Sequence, residues 1–182
     1  MEELSDRYLL ELFARPATRE KAFTLLVQQY QRPMYFHIRR MVNSHDDADD
    51  LLQNTFLKAY RALDRFRGDA RLFTWLYRIA TNECLSFLSQ KKKHYFIAAD
   101  QNAGHDQVHA DASPLVNADL VEMRLWQAMQ TLPAKQRLVF SMKYFEGLKY
   151  EEISEVLGTS VGALKASYHL AVKKIEEFIR HH

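Results

Sequence analysis

Apolar residues recur at helical spacing along almost the whole of this chain, and little interrupts them. Only five glycines and four prolines punctuate 182 residues, and no segment shows the apolar–polar alternation of a half-buried strand. Spacings of three and four are satisfied by packing helix on helix, so the expected fold class is all-α. One stretch loses the period. Residues 94–113, HYFIAADQNAGHDQVHADAS, follow three lysines and are acidic and rich in small and polar residues. That composition predicts a flexible linker. The expected organisation is two helical domains, residues 1–93 and 114–182, joined by the linker 94–113.

Local signals divide each domain further. The first is expected to hold a short helix over Leu4–Phe13 and a long one over Arg19–Val42 after the possible cap Thr18. A third helix, to about Arg65, is opened by Ser44 and Asp47 at capping-box spacing. A fourth, about Ala70–Lys91, follows the Gly68-Asp69 break with Asp69 as its cap. In the second domain Ser113-Pro114 is an N-cap and first-turn pair for a helix ending at Leu132-Pro133. Helices over Ala134–Glu146, Tyr150–Leu157 and Ser160–Arg180 complete it, the last two split by Gly158-Thr159.

The net charge of +2 conceals an uneven distribution. Residues 1–93 carry 16 Lys/Arg against 12 Asp/Glu, residues 94–119 none against 4, and residues 120–182 carry 9 against 7. Two mildly basic blocks around an acidic middle favour local nucleic-acid patches over a general basic field. The lone cysteine, Cys84, has no partner for an internal disulfide, which suits a reducing compartment. No apolar run reaches the roughly 18 residues of a membrane span. The start MEELSDRYLL is acidic and unlike a signal peptide. A cytoplasmic protein with no direct membrane insertion is expected.

The run Asp46–Asn82 carries the most functional information. It opens with four acids in five residues and ends with aromatics interleaved with arginines, from Phe66-Arg67 through Arg71, Phe73, Trp75, Tyr77 and Arg78. In the third helix Leu52, Phe56, Ala59 and Leu63 share a face expected to be core. Asp50, Asn54, Leu57 and Arg61 share another, with Gln53 beside them. Leu57 in that polar stripe fits either a protein–protein contact or a stray exposed leucine. In the fourth helix Phe73, Leu76, Ala80, Cys84 and Phe87 read as core, opposite Trp75, Arg78, Asn82, Ser86 and Ser89. Trp75 either packs on a neighbouring helix or stacks on unpaired bases while the cations hold the backbone. The loop Phe66-Arg67-Gly68-Asp69 adds a stacking ring, a cation and exposed backbone, and so favours the second reading.

The last two helices have a helix-turn-helix layout. Val161, Leu164, Tyr168, Val172 or Ala171, and Ile175 form the expected buried stripe of the second. Gly162, Lys165, Ala166, His169 and Lys173 lie opposite, small or cationic, as a helix entering a major groove requires. Ser160 stands where it caps the helix and touches a phosphate. A plain helical hairpin with a solvated lysine face has the same spacing. The acids Asp46, Asp47, Asp49 and Asp50 cluster at a helix start, where they meet the dipole favourably. With His37 one helix earlier, they do not form a metal-ligand set. No phosphate-binding glycine loop, zinc cluster or nucleophile elbow is present, so neither enzyme chemistry nor a cofactor is expected.

The stretches DADDLLQNTFLKAYRAL and FRGDARLFTWLYRIATNECLSFL resemble the second conserved region of bacterial extracytoplasmic-function sigma factors. LPAKQRLVFSMKYFEGLKYEEISEVLGTSVGALKASYHLAVKKI resembles their fourth region. Together they cover most of residues 18–93 and 114–178, in the family's order and with a linker between. The resemblance implies a promoter-specificity subunit whose partners are core RNA polymerase, promoter DNA and an anti-sigma factor. It implies that Asp50, Gln53, Asn54 and Leu57 meet the clamp helices of the β′ subunit. It places Phe66, Arg67, Trp75, Arg78 and Asn82 at the −10 element, where a base is extruded into a pocket. It places Ser160, Gly162, Lys165, Ala166, His169 and Lys173 at the −35 element, and Arg137 near DNA backbone and the β flap. One departure stands out. Many relatives carry several arginines in the last helix, where this chain has Ser167, Leu170 and Val172 and keeps Lys165, Lys173 and Lys174. That thinness motivates an alternative, a sigma-like decoy that binds an anti-sigma factor without promoter activity.

Overall fold

The computed structural model describes residues 4–42, 44–101 and 120–181. The described residues contain eight α-helices and no strand. The chain divides into two compact units, residues 1–101 and 102–182.

The first unit holds α1 (Asp6–Phe13), α2 (Arg19–Met41), α3 (His45–Ala62) and α4 (Leu72–Gln101). The Ser5 hydroxyl accepts from the Tyr8 N–H at 3.3 Å and starts α1. Thr18 precedes α2 but does not cap it, because its hydroxyl donates to the Leu12 carbonyl at 2.6 Å and closes the α1–α2 turn. Pro33 lies inside α2 and removes one helical hydrogen bond. The helix continues because Leu26, Tyr30, Met34, His37, Ile38 and Met41 are buried along one side. Burying each large apolar side chain contributes about 1.5–3 kcal/mol.

Ser44 caps α3 by accepting from the Asp47 N–H at 3.2 Å. The reciprocal half of the expected capping box is replaced. The Asp47 carboxylate accepts from Lys91 of α4 at 3.0 Å, which ties the start of α3 to α4. The expected α3 core is corrected by one residue: Leu51 and Thr55 are buried with Phe56 and Ala59, and Leu52 is half-exposed. Both α2 and α4 pack on α3, and two neighbours bury a wider arc than a single stripe. The helix ends in a 3-10 turn over Leu63–Arg65.

The start of α4 is also corrected. The helix begins at Leu72, and the Leu72 N–H donates to the Asp6 carboxylate of α1 at 2.8 Å, so Asp6 takes the role expected of Asp69. Leu72, Leu76, Tyr77, Ala80 and Cys84 are buried, whereas Phe73 and Phe87 are half-exposed. Burial pushes the Cys84 thiol up to about 12. The helix runs on to Gln101, so residues 94–101 of the expected linker are helical. The rest of that stretch and the Ser113-Pro114 helix start lie outside the described residues.

The second unit packs α5 (Leu120–Gln130), α6 (Ala134–Tyr144) and α7 (Tyr150–Leu157) against α8 (Val161–His181). Ala128, Met129, Leu132, Phe140, Ala171 and Ile175 form its core, lined by Leu125, Tyr168, Val172 and Phe178. Glu152 fixes the start of α7 by accepting from the Lys149 N–H at 2.8 Å. Gly158 adopts φ 61° to end α7 and turn the chain into α8, a left-handed conformation that a Cβ disfavours.

Candidate functional site

Three surfaces contain the residues expected to act. The first is built on the loop before α4 and on the first turns of that helix. Phe66 follows the 3-10 turn, its N–H donating to the Leu63 carbonyl at 3.1 Å. Trp75 is held by the first backbone bond of α4, from its N–H to the Arg71 carbonyl at 3.0 Å. The two rings meet at 5.1 Å between centroids, tilted by 47°. Both are half-exposed, so Trp75 packs on a neighbour and still presents an edge outward. Arg67, Arg78 and Asn82 are exposed. Gly68, at φ 77°, turns the loop between the two rings. The loop and the first turns of α4 together offer an aromatic pair, two exposed guanidiniums and an exposed amide, the chemistry that stacks a base and holds a phosphate.

Tyr77 does not belong to that surface, although the sequence interleaves it with arginines. It is 1% exposed and lies against His37 at 4.7 Å and Phe73 at 4.2 Å. His37 in turn is buried, with its Nε2 3.0 Å from the Thr81 hydroxyl. Through Tyr77 and Thr81, His37 fixes α2 to the inner face of α4, and helical phase leaves Trp75, Arg78 and Asn82 on the outer one. A further residue, missed in the sequence, anchors the site. Asp6 accepts from the Leu72 N–H and from the Tyr30 hydroxyl, the latter at 3.2 Å. One carboxylate thus joins α1, α2 and the first residue of the helix that carries Trp75. Its 66-residue separation from Leu72 gives no local signal in the sequence.

The second surface lies on α3. Asp50, Gln53, Asn54 and Leu57 are all exposed, Leu57 at 50%. Asp50, Gln53 and Leu57 form one wall of a groove of about 470 Å³ together with Asp49, Leu52 and Phe56. The other wall is α2, through Phe23, Val27 and Gln31. Nothing in the sequence singles out those α2 residues, and only the α2–α3 packing reveals them as a wall. An apolar floor with an acidic rim suits a helical partner that brings apolar and basic side chains.

The third surface is the outer face of α8. Ser160 caps the helix, its hydroxyl accepting from the Ala163 N–H at 3.4 Å. Gly162, Lys165, Ala166, His169 and Lys173 are exposed, whereas Leu164, Ala171 and Ile175 are buried. Tyr168 turns inward and stacks on Phe140 at 5.8 Å. Lys165 lies over the Tyr150 ring at 5.7 Å, so α7 steadies one of the cations of α8. Arg137 is not on this face. Its guanidinium donates to the Gln130 side chain at 2.7 Å and to the carbonyls of Gln130 and Leu132 at 3.3 and 3.4 Å. It satisfies carbonyls at the end of α5, and burial lowers its pKa without discharging it.

Sequence-family models for sigma-70 region 2 and sigma-70 region 4 match residues 26–94 and 122–175. The ECF RNA polymerase sigma-E factor of Salmonella typhimurium is 30% identical over 187 residues, spanning 98% of this chain and 96% of that protein. Its counterpart in Haemophilus influenzae is 30% identical over 188 residues, spanning 98% and 97%. Among solved structures, the sigma factor RpoE in complex with the anti-sigma factor NepR from Bartonella quintana superposes with a TM-score of 0.72 at 25% identity, covering 88% of this chain and 98% of that one. CnrH in complex with the cytosolic domain of CnrY has the same fold, with a TM-score of 0.69 at 23% identity and 97% coverage of both chains.

Proposed function

The chain belongs to the extracytoplasmic-function family of RNA polymerase sigma factors and is a promoter-specificity subunit of RNA polymerase, and we propose that its three surfaces divide that work. It is not an enzyme. The polymerase performs the chemistry, and this chain supplies placement on the promoter and opening of the duplex.

In this reading the α3 surface of Asp50, Gln53, Asn54 and Leu57 docks on the β′ clamp helices, with the groove walls of α2 contributing apolar contact. Phe66, Arg67, Trp75, Arg78 and Asn82 read and open the −10 element. Extruding a base costs a few kcal/mol, and stacking on an aromatic ring returns about 1–3 kcal/mol per base. The face of Ser160, Gly162, Lys165, Ala166, His169 and Lys173 enters the −35 major groove. Arg137 acts there through the fold of α5 and α6, not by direct contact. Among the described residues no helix is long and apolar enough to cross a membrane. As a polymerase subunit the factor works in the cytoplasm. The similar RpoE is bound by an anti-sigma factor and CnrH by a partner's cytosolic domain, which supports regulation of this chain by an anti-sigma factor.

One observation carries the proposal. The Phe66 and Trp75 rings meet, Trp75 lies opposite buried Tyr77 on α4 by helical phase, and Arg67, Arg78 and Asn82 are exposed. A decoy that met only an anti-sigma factor has no use for that pair of rings. Reconstitution with core polymerase and promoter DNA tests the reading. A transcript starting at a fixed distance from matched −10 and −35 elements is expected, and failure to bind core enzyme at moderate salt overturns it.

A further inference from the structure

The face of α2 turned away from α3 carries a feature that none of the three surfaces uses. Arg32, Phe36 and Arg40 follow one another at intervals of four, on one stripe of the helix. The Arg32 and Arg40 guanidiniums both lie 5.9 Å from the centroid of the Phe36 ring. Arg32 is exposed, and Phe36 and Arg40 are half-exposed. The stripe rises about 12 Å along the helix at 1.5 Å per residue. A ring with a guanidinium on each side is held ready, since each arginine gains a cation–π contact worth about 0.5–1 kcal/mol and loses less freedom on binding.

Its place in the unit follows from the contacts. Helix α2 meets α4 through His37, which touches Thr81 and Tyr77. Helix α3 covers one flank of that contact, with its Phe56 against Phe23 of α2, the groove it shares with Val27 and Gln31, and Lys58 paired with Glu83 of α4. By helical phase, Arg32, Phe36 and Arg40 fall on the other flank of α2. Arg78 and Asn82 fall on the other flank of α4. By helical phase the two sets fall on the same side of the unit, beyond the place where Leu4, just ahead of α1, bonds Gln29 of α2.

We propose that Arg32, Phe36 and Arg40 form a binding track for single-stranded DNA, continuing the strand that leaves the Phe66–Trp75 step. Guanidiniums pair with phosphates and an aromatic face tolerates any base, so the track holds a strand by its backbone without reading its sequence. It rests on the −10 reading above. An acidic protein partner is the competing occupant. Melted DNA is favoured because the stripe falls on the same side of the unit as the proposed melting surface, whereas the proposed polymerase surface lies across α2 on the α3 side.

The test uses holoenzyme reconstituted from the full chain and core polymerase. Two fork-junction DNAs are compared, both containing the −10 element, one ending there and one carrying about six further unpaired nucleotides on the strand that contacts Trp75. Wild-type holoenzyme is expected to bind the tailed probe more tightly. In Arg32→Gln with Arg40→Gln that gain falls at least fivefold, and the slope of log K against log salt on the tailed probe decreases by about 0.7 per arginine. Arg32→Lys with Arg40→Lys keeps the charge, and a correct fold, and restores most of the salt slope. An undiminished gain in the Gln variant overturns the inference, and so does a loss confined to core-polymerase affinity, which assigns the stripe to a protein contact. If wild-type holoenzyme binds neither probe, the −10 reading itself has failed.

Discussion

Replacing Asp6 by alanine perturbs the candidate site through a residue that lies outside it. The Asp6 carboxylate caps α4 at the Leu72 N–H, 2.8 Å away, and accepts from the Tyr30 hydroxyl at 3.2 Å. Losing a helix cap costs about 0.5–2 kcal/mol. Losing a hydrogen bond to a carboxylate in a partly buried setting costs about another 1 kcal/mol net. Together the substitution is expected to destabilise the first unit by about 2 kcal/mol. For a unit of this size that lowers the melting midpoint by about 10 °C. Calorimetry of the full chain reads this as a shift of one transition. The Asp6→Ala and Tyr30→Phe changes share one bond, so their double-mutant cycle should show a coupling of about 1 kcal/mol. Promoter opening should fall as well, because Trp75 lies within the turn that Asp6 starts. A melting midpoint within about 2 °C of wild type, or strict additivity with Tyr30→Phe, refutes the argument.

Leu57→Asp is expected to weaken binding to core polymerase by roughly tenfold or more, since burying a leucine contributes about 1.5–3 kcal/mol, while melting of the free protein stays unchanged; equal affinity in a core-binding titration removes Leu57 from the interface. Lys165→Ala with Lys173→Ala should reduce the salt slope of −35 duplex binding by about 0.9 per lysine, and an unchanged slope places those lysines off the DNA. Burial raises Cys84 from an ordinary 9.0 to about 12, so the folded state keeps a proton that the unfolded state gives up. Stability from this group is complete below pH 9 and is lost as pH climbs through 9 to 12. Cys84→Ala should flatten that part of the alkaline decline in urea midpoints, and the native thiol should resist alkylation at pH 8 until the chain unfolds.

Helical phase worked best where a helix has one packed side. On α8 it separated Leu164, Ala171 and Ile175 from Gly162, Lys165, Ala166 and His169, and the structure buries the first set and exposes the second. It was less informative on α3 and α4. There the buried arc is wide enough to take in Leu51, Thr55 and Tyr77, and residue type alone does not say which aromatic faces inward. Helix ends that depend on distant partners were hidden for a different reason. Thr18 and Asp69 look like local caps, but the Thr18 hydroxyl closes a turn onto Leu12, and the carboxylate at the start of α4 comes from Asp6. The continuation of α4 to Gln101 shows that composition marks the loss of a buried stripe, which need not end a helix. The α2 wall of the groove emerges only once α2 and α3 are placed together.

The central claim is that the outer face of α4 opens the promoter and that the α3 face holds the polymerase. Permanganate reactivity of thymines in the −10 element, measured beside core-polymerase affinity for wild type and Trp75→Ala, tests it most directly. The Phe66–Trp75 step is asked to supply about 1–3 kcal/mol of stacking per base. Reactive thymines should appear with wild-type holoenzyme and fall by roughly five- to a hundredfold in the variant, with core affinity intact. Undiminished melting in Trp75→Ala, or a loss of melting that only tracks a loss of core binding, contradicts the account.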